Sequence, residues 1–289
     1  MKGNYLQLRK TFKKNDDKRD ADFRTPEGVE RYDDLSYGPD KTFHMLDIYR
    51  PKDMKEKLPV IVSVHGGGFV YGDKERYQYY CMDLALRGFA VVNFSYRLAP
   101  ETKFPAPLSD MTLVFAFMRE HAKEYRMDLD HIFAVGDSAG AHILTSYAAL
   151  MTNKTYAKKM HKLYKLEIEN TLKLSGVGLN CGEYMGRVSE EIMSSYLPTG
   201  SDEEYDLVDL PQYITSEFPP AYMMTAPGDF LKDRPYVMIQ AFTEKGVPFV
   251  HRMYGSKLRP LGHVFHCDLK LPEAKLCNDD ECAFFKSLI

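Results

Sequence analysis

The sequence predicts an α/β fold in which helices flank a mostly parallel central sheet. From residue 43 onward, short apolar segments rich in β-branched residues alternate with longer segments of helical periodicity. Several short segments are apolar throughout, which is typical of strands buried on both faces of a parallel sheet. The alternation predicts βαβ units without internal repeats or a low-complexity linker. We therefore expect one domain over residues 43–289, preceded by a charged arm or cap over residues 1–42.

The apolar segments predict seven strands, in the order FHMLDIY (43–49), LPVIVSVH (58–65), FAVVNFSY (89–96), HIFAVG (131–136), TLKLSGVGL (171–179), AYMMTA (221–226) and FVHRMY (249–254). The segments between them predict helices at about residues 75–87, 108–124, 139–166, 233–245 and 273–288. Residues 1–28 carry many charges and little apolar periodicity, so we expect a surface arm with partial helical character.

Residues 181–219 interrupt the alternation, because this segment is too long for a plain connection between two strands. Insertions at the carboxyl edge of such a sheet often form lids or substrate walls, and we expect a short cap or lid here. The acidic run over residues 202–209 inside it is better explained as a solvated face than as a binding patch.

Charge and composition exclude several classes of function. The net charge of −3 and the pI near 6.3 give no electrostatic case for binding nucleic acid or an anionic membrane. The N-terminus lacks the apolar core of a secretory signal, and no apolar run approaches the ~20 residues that span a bilayer. The cysteines show no CxxC spacing, which favours free thiols and a cytoplasmic location; they are Cys81, Cys181, Cys267, Cys277 and Cys282.

A candidate nucleophile follows the strand segment HIFAVG. The sequence continues as GDSAG (136–140) and then as a helical pattern, which is the strand–turn–helix context that a G-x-S-x-G motif requires. Glycines two residues to each side of Ser138 allow the backbone and the helix to approach closely. The alternative is a small-residue turn that only packs the helix on the sheet. We expect Ser138 to lie in a strained turn with its hydroxyl exposed above the sheet.

A serine nucleophile needs a base and an acid from later loops at the same sheet edge. Asp229 comes directly after the strand AYMMTA and His263 follows the last strand, so the order is Ser, Asp, His. Asp233 is the rival acid, but it begins a helical pattern and is a good helix-terminal charge.

Two other histidines compete with His263 for the role of base. His266 lies three residues later and is expected to pack behind it, while His251 falls inside a strand pattern. The pair of histidines also suggests a metal site, but no carboxylate or cysteine spacing supports one. We expect no metal and no cofactor.

Three consecutive glycines, Gly66 to Gly68, follow the strand LPVIVSVH. Backbone N–H groups can reach a developing oxyanion only where no side chain intervenes. We therefore predict an oxyanion hole formed by the N–H groups of Gly67, Gly68 and Ala139. The alternative, a phosphate or dinucleotide cradle, fits poorly because GGGFVYG lacks both glycine signatures of such sites.

The motifs together resemble the hormone-sensitive-lipase-like carboxylesterases, which are HGGG-containing α/β-hydrolases. The resemblance extends from about residue 43 to the C-terminus and rests on HGGGF (65–69), YRLAPE (96–101), GDSAG (136–140), DFLKD (229–233) and GHVFH (262–266). It implies the α/β-hydrolase fold, serine esterase activity on short acyl chains, and oxyanion donors at the second and third glycines. It also implies that YRLAPE buttresses the oxyanion loop. The chain departs from many relatives at Ala141-His142 and in its short, charged N-terminal arm.

Three functions are compatible with these residues. The leading one is a carboxylesterase that acts on a small-molecule ester through an acyl-enzyme. A peptidase or amidase would keep the same triad but commonly carries an extra gating domain. A retired hydrolase fold that only binds a ligand would normally have lost the serine or the histidine. An exposed edge strand makes a homodimer plausible.

Overall fold

The computed structural model describes residues 4–168 and 172–289. Within these residues, eight strands form one sheet in the order β1-β2-β4-β3-β5-β6-β7-β8. The strands are β1 (Val29–Ser36), β2 (Met45–Pro51), β3 (Leu58–Val64), β4 (Ala90–Phe94), β5 (Met127–Asp137), β6 (Gly176–Asn180), β7 (Ala221–Thr225) and β8 (Phe249–Met253). The pairs β1–β2 and β2–β4 are antiparallel, and the remaining pairs are parallel.

One helix precedes the first strand, one follows the last strand, and the other described helices lie between strands. The helices are α1 (Asn4–Asp20), α2 (Lys74–Ala85), α3 (Ala106–His121), α4 (Ala139–Thr152), α5 (Lys154–Tyr164), α6 (Glu190–Tyr196), α7 (Asp202–Leu207), α8 (Pro235–Lys245) and α9 (Pro272–Lys286). Short 3-10 turns occur at Gly186–Ser189, Leu210–Tyr213 and Phe265–Cys267.

The sheet is buried on both faces, as the apolar strand β3 illustrates. Val60 and Val62 pack in a core cluster that includes residues of α3 and α4. Ile61 points to the other face and packs in a second cluster with residues of α2 and α9. Helices therefore cover both faces, and the predicted architecture of a mostly parallel sheet flanked by helices is confirmed.

Each of the seven predicted strands is present, and the structure adds β1. The predicted strand over residues 171–179 is shorter than expected, because β6 begins at Gly176, and its residue 171 lies outside the described residues. This strand lies inside residues 1–42, which the sequence analysis assigns to the arm, and it pairs with β2 from Val29 opposite Pro51 to Ser36 opposite Met45. Residues 29–36 are thus part of the sheet, whereas α1 precedes it as a separate helix. The sequence VERYDDLS is only partly buried and carries four charges, so its strand signal is weak.

The predicted helix over residues 139–166 is in fact two helices, α4 and α5. Asn153 separates them in extended conformation, and its side chain accepts hydrogen bonds from the N–H groups of Thr155 and Tyr156. This is an N-cap, and such residues begin a new helix where the backbone leaves the previous one. Periodicity alone does not detect this interruption.

The segment 181–219 folds against the body of the protein. It contains the turn Gly186–Ser189, α6, α7 and the turn Leu210–Tyr213. Met193 and Tyr196 are buried, and the ring of Tyr196 stacks on Phe69 with centroids 4.0 Å apart. Whether the segment opens as a lid stays a prediction.

Two further expectations concern cysteines and membrane helices. All five cysteines are buried free thiols, as their spacing predicts. Within the described ranges, we find no helix whose length and apolarity would let it cross a membrane.

Candidate active site

The predicted site residues come from loops that leave the carboxyl ends of β3, β5, β7 and β8. Because parallel strands end at the same edge of a sheet, these loops meet in a crevice at that edge. Several of the predicted residues line one cavity of about 520 Å³. They are Ser138, His263, Gly67 and Gly68.

Ser138 lies between the last residue of β5 and the first residue of α4. Its φ of 52° and ψ of −117° are strained values for a residue with a side chain, and strain of this kind clusters at functional sites. Two backbone hydrogen bonds join this turn to residues 180–183: the Ser138 N–H donates to Asn180 O at 3.0 Å, and the Ser138 carbonyl accepts from Glu183 N–H at 3.3 Å.

The two flanking glycines allow this turn to pack tightly. A Cβ atom on Gly140 would overlap the carbonyl oxygen of Val64. A Cβ atom on Gly136 would lie 2.6 Å from the carbonyl oxygen of Gly140, closer than real contacts allow. The spacing of GDSAG is therefore explained by close approach of β3, β5 and α4.

His263 and Asp229 form a hydrogen-bonded pair, with 2.8 Å between His263 Nδ1 and Asp229 Oδ1. Asp229 is 1% exposed and also accepts hydrogen bonds from Leu231 N–H at 2.8 Å and Thr225 Oγ1 at 3.2 Å. Burial raises the pKa of Asp229, but the hydrogen bond and charge of His263, together with hydrogen bonds from Cys181 and the Leu231 N–H, lower the pKa below its usual value. The carboxylate is thus ionised and fixed against the imidazole.

The rival residues lie in different surroundings. The Asp233 side chain is 73% exposed, and its ion pair is with Lys232. His266 is buried with its ring edge-on to Tyr80, and burial lowers its pKa to about 3. His251 lies within β8. These surroundings favour Asp229 and His263, in agreement with the sequence analysis.

No hydrogen bond joins Ser138 Oγ to His263 in the described parts of the chain. Both residues line the same cavity. Catalytic hydrogen bonds between nucleophile and base are often long without substrate and shorten when it binds. The arrangement therefore remains compatible with proton transfer from Ser138 to His263.

The glycine run has the backbone that the predicted oxyanion hole needs. Gly67 and Gly68 have φ values of 113° and 60°, in the left-handed region that favours glycine. Within residues 4–168, the N–H groups of Gly67, Gly68 and Ala139 donate no hydrogen bond to another residue. Ala139 is the first residue of α4, where the N–H has no partner inside the helix. All three donors are therefore available.

Gly66 has a different role. Its N–H donates to Tyr77 Oη at 2.9 Å, and the Tyr77 hydroxyl donates to Asp137 Oδ2 at 2.8 Å. This hydroxyl thus joins the glycine loop to the residue before the nucleophile. Burial raises the pKa of Asp137 to about 6. Tyr77 was not predictable from the sequence, because nothing in a helical tyrosine indicates a contact with a distant loop.

The motif YRLAPE packs beneath the glycine loop. The ring of Tyr96 stacks on His65 with centroids 4.0 Å apart, and its hydroxyl donates to the His65 carbonyl at 2.8 Å. Arg97 forms an ion pair with the fully buried Asp110, with 2.6 Å between Nη2 and Oδ1. These contacts agree with the buttressing role that the family resemblance implies.

Helix α1 forms one wall of the cavity, which the sequence analysis did not predict. It contributes Phe12, Asn15, Asp16 and Arg19. Apolar side chains complete the lining, and among them are Tyr71, Ile192, Phe230, Phe265 and Leu271. The ring of Phe230 is 73% exposed and lies 4.4 Å from the His263 ring. The cavity is therefore mostly apolar near the base and polar near α1.

A potential metal cluster overlaps the site. Ligand atoms of Cys181, Asp229 and His263 lie within 4.8 Å of one another. Burial raises the pKa of the Cys181 thiol well above its usual value, which opposes the thiolate that a metal would require. The cluster is better explained by the Asp229–His263 pair with a buried thiol beside it.

Comparisons with known proteins give consistent matches. Residues 46–182 match the family described as BD-FAE. A versiconal hemiacetal acetate esterase of Dothistroma septosporum is 28% identical over 250 residues, which cover 79% of this chain and 73% of that protein. An acetyl esterase of Salmonella schwarzengrund is 25% identical over 230 residues, covering 75% of this chain and 68% of that protein.

A solved structure agrees with the fold. The crystal structure of inhibited esterase B from Lactobacillus rhamnosis superposes with a TM-score of 0.87 at 22% identity. The match covers 98% of this chain and 96% of that chain. The two proteins thus share one fold over almost their whole lengths.

Proposed function

We propose that this chain is a carboxylesterase of the hormone-sensitive-lipase-like type, and that it cleaves short-chain acyl esters through Ser138, His263 and Asp229. The observation that carries the proposal is the 2.8 Å hydrogen bond between His263 Nδ1 and buried Asp229, beside the cavity that Ser138 also lines. A base oriented by an ionised acid is what a serine needs to become a nucleophile.

In the proposed reaction, Ser138 Oγ attacks the acyl carbon while His263 Nε2 takes the hydroxyl proton. The tetrahedral intermediate collapses as the protonated His263 gives that proton to the leaving alcohol, and Ser138 remains acylated. Water then attacks the acyl-enzyme with His263 as base, and Ser138 regains its proton when the acid leaves. Asp229 holds the imidazole tautomer and stabilises the imidazolium.

The negative charge of each tetrahedral intermediate would fall on the N–H groups of Gly67, Gly68 and Ala139. These donors are fixed before substrate binds, so they need no reorganisation during the reaction. Loss of one such donor typically costs about 10²–10³-fold in rate. The available N–H groups support this role.

The cavity supports a small ester as substrate. A volume of about 520 Å³ lies in the range of small-molecule sites. The names of two relatives specify acetate and acetyl esters, which fits a short acyl chain. The wall formed by α1 and by Ile192 of the 181–219 segment would set the upper limit on chain length.

The proposal is tested by hydrolysis of p-nitrophenyl esters from C2 to C12 by the wild type, Ser138→Ala and His263→Ala. We expect activity on short chains and a loss of about 10⁴-fold or more in both variants, because nucleophile and base act as a unit. An inactive wild type, or full activity in His263→Ala, would overturn the proposal and favour a ligand-binding role.

A further inference from the structure

We propose that Arg9, in the N-terminal helix α1, is a positioning residue for the oxyanion donors. This inference rests on the proposed esterase function. Arg9 is outside the lining of the cavity, so it would act through the loop that carries Gly67 and Gly68.

Arg9 holds two loops together. Its Nε donates to the Val70 carbonyl at 2.6 Å, and its Nη2 donates to the Ala99 carbonyl at 3.0 Å. The same guanidinium forms a bidentate pair with Glu101, at 2.8 Å from Nη1 and 2.6 Å from Nη2. A planar fork of donors is suited to several acceptors at once. Arg9 thus joins α1 to the glycine loop and to the end of YRLAPE.

The Val70 carbonyl belongs to the turn that presents the oxyanion donors. Val70 and Tyr71 donate their N–H groups to the Gly67 carbonyl at 3.2 and 3.0 Å. On the other side, Ala99 N–H donates to the Phe69 carbonyl at 2.9 Å. The bonds from Arg9 therefore close a short network around the turn 67–71. Displacement of Val70 would move Gly67 directly.

A second contact from α1 supports the same turn. The Tyr71 hydroxyl donates to Asp16 Oδ2 at 2.8 Å, and the Tyr71 ring lies 5.7 Å from that of Phe12. Arg9, Phe12 and Asp16 are spaced i, i+3 and i+7, which places them on one face of the helix. This face of α1 therefore contacts the turn at both Val70 and Tyr71.

The buried ring of Phe69 also anchors the turn through its stacking on Tyr196, but the two donor glycines have no anchor of their own. Gly67 and Gly68 carry no side chains, and glycine backbone loses the most conformational freedom when ordered. Oxyanion stabilisation depends on donors that are preorganised at the correct distance from the developing charge. The hydrogen bond from Arg9 to the Val70 carbonyl holds the turn from outside the loop and so supplies part of that order.

The experiment compares Arg9→Ala, Arg9→Lys and Lys13→Ala in the full chain. Lys13 is the matched control: it lies one turn further along α1, is 57% exposed, and pairs with Asp17. With p-nitrophenyl acetate, we expect kcat per titrated active site to fall about 10-fold in Arg9→Ala, with KM changed less than about 3-fold. This fall of about 10-fold in kcat is smaller than the roughly 10²–10³-fold rate loss that follows removal of a whole donor. Arg9→Lys should stay near Arg9→Ala, because one ammonium cannot reproduce the fork.

The second readout is inhibition by a trifluoromethyl ketone, which forms a tetrahedral adduct with the nucleophilic serine. The inhibition constant should rise in Arg9→Ala by about the factor lost in kcat, and it should be unchanged in Lys13→Ala. Lower thermal stability with unchanged kcat per active site and unchanged inhibition would overturn the inference, because Arg9 would then be merely structural.

Hydrogen exchange separates this inference from the proposed function. The amides of Val70 and Tyr71 should exchange faster in Arg9→Ala than in Lys13→Ala, whether or not the protein hydrolyses esters. Unchanged amide exchange at Val70 and Tyr71 would contradict the proposal that Arg9 holds the turn in place. An inactive wild type would overturn the esterase proposal, and the exchange result would still decide the role of Arg9 in holding the turn.

Discussion

Asp229 and Asp233 are the same residue type four positions apart, yet their surroundings differ completely. Asp229 is buried and accepts hydrogen bonds from His263, Thr225 and Leu231. Asp233 is on the surface beside Lys232. A buried, fully hydrogen-bonded carboxylate can fix an imidazole in one tautomer, whereas an exposed one is screened by water.

This difference predicts the effects of two isosteric substitutions. Asp229→Asn should lower kcat by about 10⁴-fold, because the amide favours the wrong tautomer of His263. Asp233→Asn should leave kcat within about 2-fold of wild type, since exposed ion pairs contribute little. Both are measured as steady-state hydrolysis of p-nitrophenyl acetate. Equal losses in the two variants would contradict the assignment of Asp229 as the acid.

At the scale of elements, four of the seven described non-glycine residues with positive φ lie at the carboxyl edge of the sheet. Phe69, Ser138, Cys181 and Val264 all have positive φ values, between 49° and 64°. They follow β3, β5, β6 and β8. Non-glycine residues adopt such values only where surrounding structure imposes them, and these positions are common at functional sites. The loops are thus shaped by the site, with the strands as a rigid support.

The two donor glycines differ in their tolerance of a side chain. A Cβ atom on Gly67 would overlap the Tyr71 carbonyl oxygen within the same loop, whereas one on Gly68 would lie 3.4 Å from Ile192 Cδ1, an ordinary contact. We expect Gly67→Ala to lower kcat/KM by about 10²-fold or more, comparable to a lost donor. An alanine at position 68 can keep the φ of 60° at a modest cost in conformational free energy. We therefore expect Gly68→Ala to lower kcat/KM by about 10-fold or less. Initial rates on p-nitrophenyl acetate measure both, and the reverse order would contradict this account of the loop.

The elements also show what the sequence could predict. Strands β2 to β8 were predictable because runs of apolar, β-branched residues directly indicate burial. The motifs that follow β3, β5, β7 and β8 indicated where the candidate catalytic residues would lie. Helix α1 was predicted only as a charged arm, because its contacts with Val70, Ala99 and Glu101 join residues far apart in the sequence. Such pairing depends on the three-dimensional fold and has no local pattern. The same holds for Tyr77 and for the cavity wall formed by Phe12 and Asp16.

Residues 181–219 illustrate a partial prediction. Length alone predicted a lid or substrate wall, and Ile192 does line the cavity. The segment is also tied to the body, because Phe104 N–H donates to the Tyr196 carbonyl at 2.9 Å and Lys103 Nζ donates to the Leu197 carbonyl at 2.8 Å. These contacts support a fixed wall more than a mobile lid.

At the scale of the whole molecule, a buried carboxyl connects the C-terminal helix to the nucleophile turn. Glu281 of α9 accepts hydrogen bonds from Asn180 Nδ2 at 2.8 Å and Tyr80 Oη at 3.0 Å. The Asn180 carbonyl in turn accepts the Ser138 N–H. Burial raises the pKa of Glu281 to about 7. The fold thus places a titrating group behind the active site, in contact with α2, β6 and α9.

This group makes the stability of the whole chain depend on pH. The pKa of Glu281 rises from 4.5 in a free side chain to about 7 in the folded protein, so the folded state binds the proton more tightly. The stabilisation is fully present below pH 4.5 and is lost as the pH rises through about 7.

At about 1.4 kcal/mol per pKa unit, the unfolding free energy of the wild type should fall by about 3 kcal/mol relative to that of Glu281→Gln between pH 4.5 and about 7. Urea unfolding of both proteins from pH 4.5 to 8 measures the difference. Glu273→Gln, which changes a partly exposed glutamate on the same helix, is the control and should show a difference within about 1 kcal/mol. A pH-independent difference between wild type and Glu281→Gln would mean that Glu281 stays ionised in the folded protein.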